Sequence, residues 1–138
     1  RRPPILDARG LEAALRWLAR SQSEAGGPQV SLEIGPLPAM DDARQTLLFR
    51  AAQESLNNAL KHARSRSILL RLVAHDDWAH MQIVDDGVGC DPALALTSGG
   101  SGLGGLRERL RLGGGSFRLV SSPGAGTCVQ VRVPLSGE

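Results

Sequence analysis

The feature that most constrains the fold is a stretch over residues 41–63 that contains neither glycine nor proline. Apolar or small residues recur along it at spacings of three and four, the period of a helix buried along one broad face. They are Leu47, Leu48, Ala51, Ala52, Ser55, Leu56, Ala59 and Leu60. Asp41 or Asp42 precedes the pattern and is suited to cap the first turn. The stretch therefore predicts one long helix that packs on the rest of the chain.

A second, polar stripe runs along the same predicted helix. Arg50, Glu54 and Asn58 follow one another at intervals of four residues, and Lys61 or His62 continues the series. Residues at this spacing lie above one another on one side of an α-helix. A polar stripe is usually a solvent-exposed face. This one combines an acid, an amide and two candidate cations, and it holds the only lysine of the chain. It is therefore either a solvated face or one wall of a binding site.

The rest of the chain reads as short helices and strands. Helices are predicted at residues 10–20, with Asp7 as N-cap, and 103–112; residues 21–28 are predicted to be a loop. Strands are predicted at residues 30–34, 67–74, 78–85, 117–121 and 127–133. Consecutive hairpins and about three helices predict an α+β sandwich, with the helices on one face of a mainly antiparallel sheet.

Composition excludes several classes of function. A chain of 138 residues with a net charge of +2 is one domain with no electrostatic reason to bind nucleic acid or a membrane. Tyrosine is absent and aromatic residues make up 3%, so a base-stacking platform is not expected. Cys90 and Cys128 are isolated and are predicted to be free thiols. There is no signal-peptide pattern and no apolar run of the roughly 20 residues that cross a bilayer. We expect a cytoplasmic protein, cut from a longer one.

Glycines concentrate at two places where a ligand could approach the backbone. Gly87 and Gly89 follow a predicted strand, and the segment 100–105 contains four glycines at the start of the helix predicted at 103–112. A phosphorylated ligand at that helix start is chemically reasonable, and so is ordinary turn chemistry. The segment 100–105 satisfies GxGxxG, but no strand leads into it, and a P-loop is excluded because no lysine is available for it. Of the neighbours Asp85 and Asp86, only one can face a given pocket.

Four motifs in sequence resemble the nucleotide-binding boxes of the GHKL ATPases. They are ExLxNAxKHA at 54–63, DxGxG at 85–89, GLGGLRERL at 102–110 and the pair Gly126–Thr127 ahead of alternating valines. The GLGGLRERL form and the opening residues 2–15 resemble the catalytic domain of NarX/DesK-type bacterial sensor histidine kinases. The resemblance implies the Bergerat fold, a two-layer α/β sandwich with a mixed, mostly antiparallel sheet. It also implies an ATP site between the long helix and a lid at about residues 91–101.

The resemblance assigns roles by matching position. It implies ATP-binding positions at Asn58, Lys61, His62, Asp85, Gly87, Gly89, Gly102, Leu103, Gly104 and Thr127. Asp85 would accept the adenine amino group with support from Thr127, and Asn58 would ligate Mg²⁺. Lys61 and His62 would lie near the phosphates, and the glycines would form the backbone walls. Glu54 would be a polarising base.

The resemblance also implies partners. Residues 10–138 would be the ATP-binding catalytic domain, and residues 1–9 a linker from a dimerisation domain that carries the phosphoacceptor histidine. A NarL/LuxR-type response regulator would follow, the parent could attach to the inner membrane, and this chain alone would be a monomer that does not phosphorylate itself. One alternative is a GHKL module of the anti-sigma or degenerate type, which acts mainly through protein binding. Another is a fragment of a DNA-repair, gyrase or chaperone ATPase.

Overall fold

One five-stranded sheet and a layer of helices make up the structure. The computed structural model describes residues 3–24, 27–64, 66–97 and 102–136, with the backbone alone at 24, 62, 63 and 97. The helices are α1 (Pro4–Glu24), α2 (Asp42–Asn58), a π-helical turn (Ala59–Ala63), α3 (Pro92–Thr97) and α4 (Leu103–Leu112). The strands are β1 (Gln29–Ile34), β2 (Ser67–His75), β3 (Trp78–Asp85), β4 (Ser116–Ser121) and β5 (Thr127–Pro134).

The sheet has the strand order β1-β2-β3-β5-β4. Strand β1 pairs with β2 in parallel, and the other three pairs are antiparallel. The β2–β3 connection turns through Asp76 and Asp77, which both have positive φ, as the tight hairpin turn that matches strand twist requires. The predicted mixed, mostly antiparallel sheet is therefore confirmed.

The hydrophobic core lies between the helices and one face of the sheet. Strands β3 and β5 alternate buried with more exposed side chains along their length. Helix α2 lies centrally in the helical layer, in contact with α1, α4, β3 and β5. The fully or nearly fully buried side chains that these elements share include Leu48, Ala52, Leu56, Met81, Ile83, Leu106, Leu110, Val129, Val131 and Val133. The predicted arrangement of helices on one face is confirmed.

Helix α1 differs from the prediction at both ends. It begins at Pro4 rather than at Gly10, so Asp7 lies inside it and is not its N-cap. Proline is favoured in a first helical turn because its fixed φ suits the helix and it lacks only an N–H that would have no partner there. Gly10 (φ 84°, ψ 177°) instead breaks the helix in its interior. The helix then continues to Glu24, into the predicted loop.

The long helix predicted for residues 41–63 is two elements. Asp41 is the N-cap, and its Oδ1 accepts a hydrogen bond of 2.8 Å from Arg44 N. The α-helix ends at Asn58, however, and Ala59–Ala63 form a π-helical turn that closes on Arg64 with φ of 52°. A π-turn widens the helix by about one residue. Lys61 and His62 therefore do not continue the stripe of Arg50, Glu54 and Asn58 in α-helical phase, which corrects that prediction.

The segment between β3 and β4 holds one helix that the sequence did not predict. Pro92–Thr97 form α3 within the predicted lid, where Asp91 Oδ1 accepts a hydrogen bond of 3.0 Å from Ala93 N. Residues 98–101 of that lid lie outside the described residues. Helix α4 has the predicted bounds and ends at Gly113, as the glycine run indicated. None of the helices in the described ranges has the length and apolar composition of a membrane span.

Candidate functional site

A row of polar side chains closes the covered face of the sheet at one end. Asp85 ends β3, Thr127 begins β5 opposite it, and Ser121 ends β4 beside Thr127. Asp85 and Thr127 are each only 8% exposed, whereas the residues before Asp85 and after Thr127 on the same face are apolar. Burial of a carboxylate and a hydroxyl side by side is costly unless they are hydrogen-bonded. This end of the sheet is therefore the first candidate for a binding site.

The hydrogen bonds of this row fix the direction of each group. Gly87 N donates to Asp85 Oδ1 at 2.8 Å, which holds the carboxylate against the start of the following loop. Ser121 Oγ donates to the carbonyl oxygen of Gly126 at 2.6 Å and receives the Cys90 N–H at 2.9 Å. Since Ser121 has one hydroxyl proton and it is used at Gly126, the 3.1 Å contact between Ser121 Oγ and Thr127 Oγ1 leaves Thr127 as its donor. The remaining lone pairs of Thr127 can therefore accept.

Two glycines allow the backbone to close around this row. Gly126 has φ of 71°, and a Cβ atom there would lie 2.5 Å from the carbonyl oxygen of Asp85. Gly89 has φ of 72°, and a Cβ atom there would overlap the carbonyl oxygen of Ser122. The loop after β3 and the β4–β5 turn therefore pack backbone to backbone, as a glycine-walled pocket requires. Gly89 was predicted to belong to the site, and Gly126 belongs to the Gly126–Thr127 motif, although only Thr127 of that pair was given a binding role. Ser121 was not predicted; only its position at a strand end next to Thr127 could have signalled it.

Asp86 has a structural role that its neighbour does not share. It lies on the opposite face of β3 from Asp85 and is exposed, as the alternation of a strand predicts. Its Oδ1 accepts from the N–H groups of Arg66 (2.9 Å) and Ser67 (3.2 Å). The N–H groups of Ser67 and Arg66 therefore hold the pKa of the Asp86 carboxyl below its ordinary value of 3.8. This contact ties the segment that follows the π-helical turn to the end of β3.

The lowered pKa predicts how the stability of this contact depends on pH. A carboxyl whose folded-state pKa lies below its unfolded-state pKa stabilises the fold above the unfolded value and loses that contribution as pH falls through the folded value. We expect Asp86→Asn to lower the urea midpoint at pH 7, and we expect its difference from wild type to shrink progressively as pH falls below about 3.8, the ordinary value. Urea unfolding at a series of pH values tests this. A difference between the two proteins that does not change with pH would contradict it.

The polar stripe of α2 ends close to the Asp85 row. Only three residues separate the π-helical turn from β2, and Ile68 pairs with Asp85, so the C-terminal end of α2 lies at the same end of the sheet. Glu54 and Asn58 are one turn apart and half-buried, while Lys61 is exposed in the π-turn. The side chain of His62 lies outside the described residues. Arg50 donates to Gln53 Oε1 at 2.7 Å. The C-terminal turns of α2, which carry Glu54 and Asn58, therefore lie at the end of the sheet that bears Asp85.

The start of α4 supplies a further wall. Gly102 is its N-cap with φ of 81°, and no side chain caps the helix by a hydrogen bond within the described residues. Leu103 is 3% exposed and anchors the first turn in the core, and Gly104 follows it. The first N–H groups of a helix have no partners inside the helix and attract anions. The predicted residues Gly102, Leu103 and Gly104 therefore lie together at the N-terminus of α4.

Ser55 is a buried polar residue within the predicted apolar face of α2. It is 2% exposed, and its Oγ has no hydrogen-bond partner among the described residues. A buried hydroxyl without a partner costs about 1–3 kcal/mol. Such a group is an exception that requires an explanation.

Cavities at the surface differ in whether they border this region. One of about 270 Å³ borders Asp85, Ser121 and Thr127 but opens towards Val84, Val120 and Cys128 on the other face of the sheet. Burial raises the pKa of the Cys128 thiol there, which keeps it protonated. A cavity of about 340 Å³ lies on the open face of the sheet around His80. Another of about 520 Å³ lies beside Trp17 and borders α1 and α2. The last two contain none of the predicted site residues.

Comparisons with known proteins show which family the chain resembles and which fold it shares. Residues 43–137 match the family of histidine kinase-, DNA gyrase B-, and HSP90-like ATPases. The chain is 37% identical over 142 residues to an uncharacterised sensor-like histidine kinase of Chloroflexus aurantiacus, covering 97% of this chain and 24% of that protein. It is 34% identical over 142 residues to the histidine-protein kinase/phosphatase DegS of Bacillus subtilis, covering 98% and 37%. The chain thus spans between a quarter and two fifths of the length of these relatives.

A solved structure has the same fold. The histidine kinase domain of the blue-light activated kinase EL346 from Erythrobacter litoralis superposes with a TM-score of 0.78 at 22% identity, covering 91% of this chain and 61% of that one. At that identity the similarity establishes the fold. The predicted relationship to sensor histidine kinases and the predicted fold class are confirmed.

Proposed function

The chain belongs to the histidine kinase-, DNA gyrase B-, and HSP90-like ATPase family, and on that premise we propose that it binds Mg-ATP and donates the γ-phosphate to a histidine on a separate dimerisation domain. The observation that carries the proposal is the buried pair of Asp85 and Thr127 behind a glycine-walled backbone. A pair of this kind is built to receive hydrogen-bond donors in a water-poor site.

Asp85 and Thr127 fit the amino edge of adenine. That edge presents N–H donors, and a carboxylate is the strongest acceptor available to a protein. Gly87 N orients the Asp85 carboxylate, and the hydrogen bonds of Ser121 leave Thr127 able to accept. Gly87, Gly89 and Gly126 form the adjoining backbone, where a Cβ atom at Gly89 or Gly126 would clash with a carbonyl oxygen of the facing segment. We therefore assign the base to this end of the sheet.

The residues present also fit Mg²⁺ held together with phosphates. No group of three or more His, Cys, Asp or Glu side chains within the described ranges could hold a metal alone. Mg²⁺ does not need one, since it commonly takes one or two protein oxygens and fills its shell with phosphates and water. Asn58 supplies such an oxygen, and Glu54 lies one turn away to act as the polarising base. When bound, the ion neutralises phosphate charge during transfer.

The phosphates would extend from the base towards α4. We propose that Gly102, Leu103 and Gly104 present backbone N–H groups to them and that Lys61 and His62 of the π-turn contribute charge. A π-turn changes the direction in which successive side chains point. It therefore brings Lys61 out of phase with Asn58, so that two neighbouring positions of one helix can serve different parts of one ligand.

The proposal extends to the setting of the domain. Residues 1–9 would connect to the histidine-bearing domain, and residues 10–138 would be the catalytic domain; the helix break at Gly10 supports that boundary. The phosphate would then pass to a response regulator of the NarL/LuxR type. We place the domain in the bacterial cytoplasm, where ATP and the regulator are present, and we propose that it is a monomer by itself.

Calorimetric titration and a transfer assay test this function together. We expect micromolar to submillimolar ATP binding that Mg²⁺ strengthens, and transfer of labelled phosphate to the histidine-bearing domain of the same kinase. Glu54→Gln should slow transfer by about 100-fold, the low end of a base contribution, with nucleotide affinity nearly unchanged.

Glu33→Gln is the matched control, since Glu33 is an exposed acid on β1 that pairs with Arg71 at 2.9 Å. It should transfer phosphate at the wild-type rate. Transfer by Glu54→Gln at that same rate would remove Glu54 from the mechanism. Nucleotide binding without any transfer by wild type would instead favour a GHKL module that acts through protein binding.

A further inference from the structure

Ser55 carries a buried hydroxyl on α2 that no described residue uses. Its side chain is 2% exposed, and its Oγ finds no hydrogen-bond partner in the part of the chain that the structure describes. A serine inside a helix commonly bonds back to the carbonyl oxygen four residues earlier, here that of Ala51. Ser55 does not make that bond. The donor and acceptor capacity of this hydroxyl is therefore unused among the described residues.

The position of Ser55 on α2 lies where the apolar face meets the polar stripe. Ala51 and Ala59 are four residues before and after it and are buried, so on that side Ser55 belongs to the core. Asn58 is three residues after it, and side chains at this spacing have Cβ atoms about 5–6 Å apart. Ser55 is thus the deepest polar group of α2 on the side that leads to Asn58.

The sheet under α2 is polar only at the end that bears Asp85. Helix α2 packs on β3 and β5, and the residues buried on these strands are apolar except for Asp85 and Thr127. Only three residues separate the π-turn from β2, whose Ile68 pairs with Asp85, so the C-terminal half of α2 lies at that same end. The hydroxyl of Ser55 therefore lies on the buried face of α2 towards the end of the sheet that bears Asp85 and Thr127.

We propose that Ser55 is a specificity-determining residue for the purine base and that it acts through one bound water molecule. Adenine presents an amino donor beside a ring nitrogen that accepts, whereas guanine presents the opposite order at the corresponding positions. Asp85 serves the donor, and the ring nitrogen needs a donor of its own, which a water held by Ser55 Oγ supplies. This inference rests on the proposed nucleotide-binding function.

Ser55→Ala tests the inference by separating binding from folding. We expect about a 5- to 10-fold loss of affinity for ADP and for ATP alike, and a smaller preference for ATP over GTP, in calorimetric titrations. The urea midpoint of the free protein should be unchanged or higher, because the variant removes a buried hydroxyl that has no partner. Ser55→Cys, which replaces the hydroxyl with a somewhat larger thiol that is a weak donor, should lose affinity in the same way.

Each other outcome is decisive. Unchanged affinity in Ser55→Ala, with wild type binding ADP normally, would overturn the role of Ser55 and leave the proposed function standing. A loss for ATP but not for ADP would also overturn it, because a base contact affects both nucleotides. Failure of wild type to bind either nucleotide would overturn the proposed function and this inference with it. Ser31→Ala, an exposed serine of β1, is the control and should match wild type in all assays.

Discussion

Asp85→Asn is expected to weaken Mg-ATP binding by roughly 10- to 100-fold while the domain stays folded. The substitution replaces a charged acceptor with a neutral amide, one half of which is a donor facing the donor of the base. Hydrogen bonds to charged groups contribute about 1.5–3 kcal/mol, and 1.4 kcal/mol corresponds to a factor of ten in affinity. The amide oxygen of asparagine can still accept from Gly87 N, so the loop after β3 keeps its anchor. Calorimetry measures the affinity, and urea unfolding measures the fold.

Asp86→Asn is the matched control for that experiment. It is the same chemical change one residue further along the chain, on the other face of the strand, where the carboxylate accepts from Arg66 and Ser67. It should alter stability and its pH dependence but leave nucleotide affinity within about twofold of wild type, a difference of roughly 0.4 kcal/mol. Equal affinity in Asp85→Asn and wild type would show that the base lies elsewhere.

The two aspartates also show what the sequence could predict. Strand alternation assigns Asp85 and Asp86 to opposite faces without any structure, whereas the choice of Asp85 as the one that faces the site came from the resemblance. The same alternation orders β5, where Thr127, Val129, Val131 and Val133 are all buried. This alternation depends only on neighbouring residues, so it can be predicted from the sequence alone. The pairing of Asp85 with Thr127 came only from the resemblance to a family.

Features that depend on distant contacts were not predictable from local patterns. Propensity gives no reason for the α-helix to become a π-turn at Ala59, because residues 59–63 contain good helix formers. Ser121 was hidden because its hydroxyl becomes informative only when β4 pairs with β5 and Cys90 folds back onto it. Ser55 was counted as an ordinary small residue of a buried face. Ser55 is informative because its hydroxyl has no hydrogen-bond partner among the described residues, and the sequence alone cannot show that.

Gly126→Ala is expected to lower the free energy of unfolding by about 3 kcal/mol and to abolish measurable nucleotide binding. Alanine at φ of 71° costs about 1–2 kcal/mol. The new Cβ would also lie 2.5 Å from the carbonyl oxygen of Asp85, which is backbone and cannot rotate away. The strands must therefore separate where Asp85 pairs with Thr127, and the pair that receives the base is lost. Urea unfolding and ATP titration measure the two effects.

Gly124→Ala separates the two causes, because Gly124 lies in the same turn with φ of 83° but has nothing within 4 Å of its Cβ position. It should carry the conformational cost alone, about 1–2 kcal/mol, and keep wild-type affinity for nucleotide. If Gly126→Ala were no more destabilising than Gly124→Ala, the close approach to Asp85 would not constrain the fold. If it were more destabilising but still bound ATP normally, the Asp85–Thr127 pairing would not form the base site. Loss of both stability and binding at Gly126 alone is the result that links the glycine-walled turn to nucleotide recognition.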